Sequence, residues 1–155
     1  MKTNEKVQDL LNDLIQINND RIAGYGKAAN EVSPEDGDLK QLFRQYAQDS
    51  SEYVRELSQR VAEAGGDATT STTVSGKIYR VWMDMKSAMS DKERKTTLEA
   101  CEYGEDAAQK AYEKALESDF NIPADIRSLI TKQKAQLRKA HDEIKRYRDA
   151  HVETH

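Results

Sequence analysis

The side chains best placed to do chemistry are two carboxylates and an imidazole: Glu105, Glu102 and His141. At 100° per residue, Glu105 falls between Cys101, Ala108 and Tyr112, within about 30° of the centre of an apolar helical stripe, whereas Glu102 lies nearer to about 90°. His141 sits at the margin of a second stripe. Three such ligands from two helices, completed by water, could hold Zn, Mn or Fe as a reduced mononuclear site. The same residues belong to a wider set of polar groups that interrupt apolar stripes near the midpoint of each long helix: Asn18, Arg21, Ser50, Glu105 and Gln136, with Gln133 also on its stripe. Helices of similar length packed side by side bring these midpoints to one level, so a buried polar layer is expected.

Helical bundles that hold two metal ions need a Glu from each of two helices and a Glu-x-x-His from each of the other two, because two hard cations require bridging oxygens and an imidazole apiece. This chain misses most of that set. The first helix offers Asn18 where a Glu is needed, the second has no histidine, and Arg138 stands three residues before His141. No complete di-iron ferroxidase centre is expected. The reading these residue types favour is a satisfied network, with Glu105 paired to Arg21 or hydrogen-bonded to Asn18, Tyr112 or a glutamine, fixing the register of the helices. A metal site at Glu105, His141 and Glu102 and a pocket for an organic ligand are the alternatives. Cys101 lies on an apolar stripe and reads as a small hydrophobe, and His151 and His155 as a solvated tail. Phosphate loops, Gly-rich dinucleotide turns, His-Glu-x-x-His and Cys-x-x-Cys are all absent.

The elements that must position these groups are set by two strong breaks, Ser33-Pro34-Glu35-Asp36-Gly37 and Gly65-Gly66 with the Thr/Ser run after it, and by softer ones at Ser90 and Pro123. They divide the chain into helices at about 4–31, 36–64, 75–89, 91–118 and 123–150. Each long helix carries one apolar stripe on a polar body, the pattern of a bundle member. The short one has Ile78, Trp82, Met85 and Met89 on one side and should lie across the bundle. Short connections make the first and last pairs antiparallel hairpins. The long connection between them can return the chain along the bundle, so that the second and third helices run parallel, as in ferritin-like topology.

Composition limits the function classes. The chain has 155 residues, 24 Lys+Arg, 28 Asp+Glu and a net charge of -4, with 34% charged residues, 7 Gly, 2 Pro and 1 Cys. One domain, 1–155, is expected from the length. A single cysteine excludes a disulfide framework, and the acidic balance argues against non-specific nucleic-acid binding. With neither a signal peptide nor an apolar run of membrane-spanning length, a cytoplasmic protein without membrane association is expected.

Several stretches together resemble a known family: Leu11-Asn12-Asp13-Leu14-Ile15-Gln16-Ile17-Asn18-Asn19-Asp20, then Gly24-Tyr25 and Ala28-Ala29, Gly65-Gly66, Val81-Trp82-Met83-Asp84-Met85-Lys86, Cys101-Glu102-Tyr103-Gly104-Glu105-Asp106-Ala107-Ala108 with Tyr112, and His141-Asp142-Glu143-Ile144. The chain is similar, over nearly its whole length, to small bacterial four-helix-bundle proteins of unknown function in the ferritin-like superfamily. The resemblance implies an all-α, ferritin-like four-helix bundle whose long crossover carries a short fifth helix. It brings no substrate, reaction or ligand set. The family typically has Gly at the position of Arg21 and His at that of Tyr79, and both departures weaken a metal reading. The expected role is non-enzymatic, structural or interaction-based, with stress association one form it could take. A homodimer through a long helix face is the expected association, and any other protein partner is left open. The alternative is a metal-binding protein or oxidoreductase with the reduced carboxylate/histidine site.

Overall fold

A computed structural model describes residues 2–32, 34–72 and 91–153. It contains four long helices: α1 (Lys2–Glu31), α2 (Gly37–Glu63), α3 (Asp91–Leu116) and α4 (Ala124–Glu153), with a short 3-10 turn at Pro34–Asp36 before α2. The bounds agree with the sequence reading to within a few residues. The fifth helix expected at 75–89, with Trp82 and Tyr79, lies outside the described residues. The Gly65-Gly66 break ends α2 as a left-handed cap. Gly65 adopts φ +85°, its N–H donates to the Ala62 carbonyl, and Gly66 N–H donates to that of Val61, both at 3.0 Å. These bonds satisfy carbonyls that the helix end would otherwise leave open.

Three helices bury a single seam in steps of three and four residues. On α2 it is Leu39, Phe43, Tyr46, Ser50, Tyr53, Leu57 and Val61. On α3 it is Leu98, Cys101, Glu105, Ala108, Tyr112 and Ala115, and on α4 Ile126, Ile130, Gln133, Leu137, Ala140 and Ile144. That spacing keeps one side of each helix turned to its neighbours. Each fully buried Leu, Ile or Phe contributes roughly 1.5–3 kcal/mol.

The core falls into two apolar clusters. One joins Val7 to Ile17 of α1 with Tyr53, Leu57 and Val61 of α2, Ala108, Tyr112 and Ala115 of α3, Ile122 just before α4, and Ile126, Ile130 and Leu137 of α4. The other joins Tyr25 to Val32, Leu39 to Tyr46, Leu98 and Cys101, and Ala140 with Ile144. Going from the second cluster to the first, residue numbers fall along α1 and α4 but rise along α2 and α3. Helices α2 and α3 are therefore parallel to each other and antiparallel to α1 and α4, the arrangement that a long crossover produces.

Helix α1 departs from the single-stripe expectation, for Ile15, Ile17 and Asp20 are buried beyond the seam. Residues 65–72 run along it and are held by its amides. Gln8 Nε2 donates to the Ala64 carbonyl (2.7 Å), Asn12 Nδ2 to that of Asp67 (3.2 Å), Asn19 Nδ2 to that of Ser71 (2.9 Å), and Gln16 Nε2 to Ser71 Oγ (3.1 Å). No described helix is long and apolar enough to cross a membrane.

Candidate functional site: the buried polar layer

Between the two apolar clusters lies a polar layer. Asn18, Ser50, Glu105 and Gln133 have no exposed surface and Arg21 is 1% exposed. The three-four seam puts Asn18 and Arg21 between Leu14 and Tyr25, Ser50 between Tyr46 and Tyr53, and Glu105 between Cys101 and Ala108, so the three helices present polar groups at one height. On α4 the sequence points to Gln136, but that side chain is exposed. Gln136 sits at the lip of a cleft between α2 and α4. Its position is off the seam, and Gln133, one turn earlier and on the seam, reaches the layer instead.

Two connected sets of bonds make up the layer. In one, Arg21 Nη2 donates to Glu105 Oε2 at 2.8 Å, Tyr25 OH donates to the same oxygen, and Arg21 Nη1 donates to Ser50 Oγ. In the other, Asn18 Nδ2 donates to Tyr112 OH (2.9 Å) and to the Leu14 carbonyl (2.9 Å), while Tyr112 OH donates to Gln133 Oε1 (2.6 Å). Ser50 Oγ donates to Asn18 Oδ1 at 2.9 Å and ties the sets together. Gln133 Nε2 continues outward to Glu56 Oε1 at 3.2 Å. Two atoms of the ion pair, Arg21 Nε and Glu105 Oε1, have no hydrogen-bond partner among the described residues.

The guanidinium is also held by aromatic faces, with its central carbon 5.2 Å from the Tyr25 ring centroid and 5.9 Å from that of Tyr46. Burial alone would lower the proton affinity of Arg21, but the Glu105 and Tyr25 oxygens more than offset this and hold it above its ordinary value. Burial, then the neighbouring Glu105 charge, pushes the Tyr25 phenol well up. Tyr112 is raised by burial. Tyr53 is pushed up to about 12, by burial first and Asp49 second. Tyr46 rises through burial and its hydrogen bond to Glu143.

The structure does not gather the three metal candidates. Glu105 faces Arg21 and Tyr25. Glu102 Oε1 accepts from Arg148 Nη1 at 2.5 Å. His141 sits between two other carboxylates, with Nε2 2.6 Å from Asp106 and Nδ1 3.1 Å from Asp142. Among the described residues no group of three or more His, Cys, Asp or Glu could hold a metal ion. Among the described residues the layer supplies one carboxylate, the amide oxygens of Asn18 and Gln133, and a guanidinium, and a cation placed there would meet the charge of Arg21. This donor set does not fit the two-metal group of the carboxylate bundles. Cys101 is fully buried in the apolar cluster beside Tyr25. Sequence reasoning missed Asp20, Thr97 and Gln109 as buried polar groups.

Topology defines the class: a ferritin-like four-helix bundle. A solved structure of a Dps1 mutant from Mycobacterium smegmatis matches with a TM-score of 0.78 over 95% of this chain and 97% of that one, at 18% identity, a likeness of fold. Residues 6–118 match the domain of unknown function DUF2383, and the chain belongs to that family. No curated protein sequence matches it.

Proposed function

We propose that the protein works without catalysis, as a structural or interaction bundle whose polar layer holds helix register. The observation that carries this reading is the state of Glu105. The one carboxylate in the layer among the described residues takes Arg21 and Tyr25 on its Oε2, and the adjacent guanidinium balances its charge, which makes it a poor metal ligand. What supports association is a groove of about 720 Å³ between α1 and α3. Its floor includes Leu10, Leu14, Ile17, Ala111 and Phe120, and Lys6 and Asp13 stand at its rim. A long, apolar-floored groove with mixed charge at its edge suits a helix of a second copy, and a homodimer is the association included in this reading.

The test combines metal analysis with light scattering on protein purified without a chelating tag. After reconstitution with Fe²⁺, Mn²⁺ and Zn²⁺, less than about 0.1 metal per chain is expected, because a carboxylate-imidazole site would load readily. Scattering across a concentration series is expected to show a concentration-dependent dimer. Stoichiometric metal retained on the chain, or a strictly monomeric protein, would overturn the reading.

A further inference from the structure

We propose that the centre of the bundle is an organic-cation site whose occupant is part of the chain: the Arg21 guanidinium, seated against Glu105, Ser50 and the faces of Tyr25 and Tyr46. Three observations carry the assignment. A planar cation is matched on each side, with a carboxylate oxygen and a hydroxyl at its two terminal nitrogens and two phenol rings within 6 Å of its central carbon. The partner carboxylate keeps one oxygen, Oε1, fully buried and without a hydrogen-bond partner among the described residues. It therefore has bonding capacity that a free guanidinium, able to turn in place, could use. Finally, a surface cleft reaches the buried Arg21 side chain. A cleft of about 510 Å³ between α2 and α4 has Arg21 in its lining, together with Tyr46, Tyr53, Glu52 and Glu143.

Trimming Arg21 to the β-carbon would extend that cleft inward to Glu105. The emptied site would present one carboxylate, hydroxyls and aromatic faces. Such a set suits a guanidinium or substituted guanidinium and is poor for a divalent metal, which needs several anionic or imidazole ligands. In the native protein the tethered side chain holds the site at a local concentration that no free cation reaches.

The experiment uses the full chain with R21A, E105Q and R21A/E105Q, and reads thermal unfolding with and without guanidinium or methylguanidinium chloride. At about 20 mM the salt is too dilute to act appreciably as a denaturant. The native protein should be insensitive to it. R21A is expected to melt roughly 10 °C lower, and the added cation should return roughly 3 °C or more of that loss. Equal sodium chloride should return nothing, and R21A/E105Q should not respond. An unresponsive R21A, or an equal response in R21A/E105Q, would overturn the proposal. So would about one Mn²⁺ or Zn²⁺ per native chain that is lost in E105Q, since Glu105 would then be a metal ligand. If R21A yields no soluble protein, R21M and R21M/E105Q decide: the double variant should melt higher than R21M, and the opposite order refutes the proposal. A metal retained independently of Glu105 would defeat the non-catalytic reading above while leaving this one intact.

Discussion

Replacing Tyr112 with Phe tests whether the polar layer is a satisfied network. The ring is fully buried on α3 and its hydroxyl has two partners, donating to Gln133 Oε1 at 2.6 Å and accepting from Asn18 Nδ2 at 2.9 Å. Phe keeps the ring and removes only the oxygen. Asn18 Nδ2 retains the Leu14 carbonyl. Gln133 Oε1 loses its donor in a place water does not reach, since Gln133 has no exposed surface. A buried acceptor left unpaired costs about 1–3 kcal/mol, and losing the cost of burying the hydroxyl recovers part of that. The net destabilisation should be about 1–2 kcal/mol, and at this chain length roughly 2–8 °C in Tm. Urea unfolding followed by circular dichroism gives the free energy, with an unchanged m-value showing that compactness is kept. A cycle with Gln133→Met isolates the contact, because that variant removes the acceptor and leaves the phenol its Asn18 partner. A coupling energy of about 0.5 kcal/mol or more is expected. Y112F as stable as the native protein, with no coupling to Gln133, would refute the idea that these groups form one network.

Two further outcomes follow from the geometry. Tyr25, Tyr46, Tyr53 and Tyr112 all have raised proton affinities, with Tyr53 at about 12. In the unfolded chain a phenol ionises near 10, so above that pH the native state binds more protons and stability falls as pH rises. The contribution is fully present below about pH 10, and in absorbance at 295 nm these four should ionise only as the helical signal collapses; their titration with helicity intact would contradict the burial. For the α2 cap, Gly65→Ala places a β-carbon on a residue at φ +85°. That should cost about 1–2 kcal/mol, visible as a lower urea midpoint, and an unchanged midpoint would mean that the cap rearranges freely.

The seams of α2, α3 and α4 were legible because one residue in every three or four is apolar and the helices are long. The polar members of the layer were legible for the same reason: Ser50 and Glu105 stand at seam positions, where a solvated side chain does not belong. Gln136 misled because the inference used the middle of the helix in place of the angle around it. Gln133 had the correct angle, and its side chain is long enough to cover the remaining turn. Arg21 read as an edge residue because its backbone position is at the margin of the stripe. What draws it in is Glu105, 84 positions away in sequence, and no periodicity within one helix reports that distance.

The second buried face of α1 shows where pattern reading stops and chemical type could have continued. Gln8, Asn12, Gln16 and Asn19 recur at steps of four and three on one side of α1 and, by polarity alone, describe a face turned to water. The solvated faces of the other helices are built mainly of Lys, Arg, Asp and Glu, whereas this one is built of amides. A carboxylate only accepts and an ammonium only donates, but an amide does both, and it carries no charge to desolvate when a chain segment covers it. Those are the requirements for lying against a backbone, which offers N–H and C=O in turn. Asn12 uses both abilities at once, donating to the Asp67 carbonyl and accepting from the Thr69 N–H at 3.0 Å. A helical ladder of amides amid otherwise charged surfaces is therefore a signal for a covering stretch of main chain, and here it accounts for the burial of Ile15 beside it.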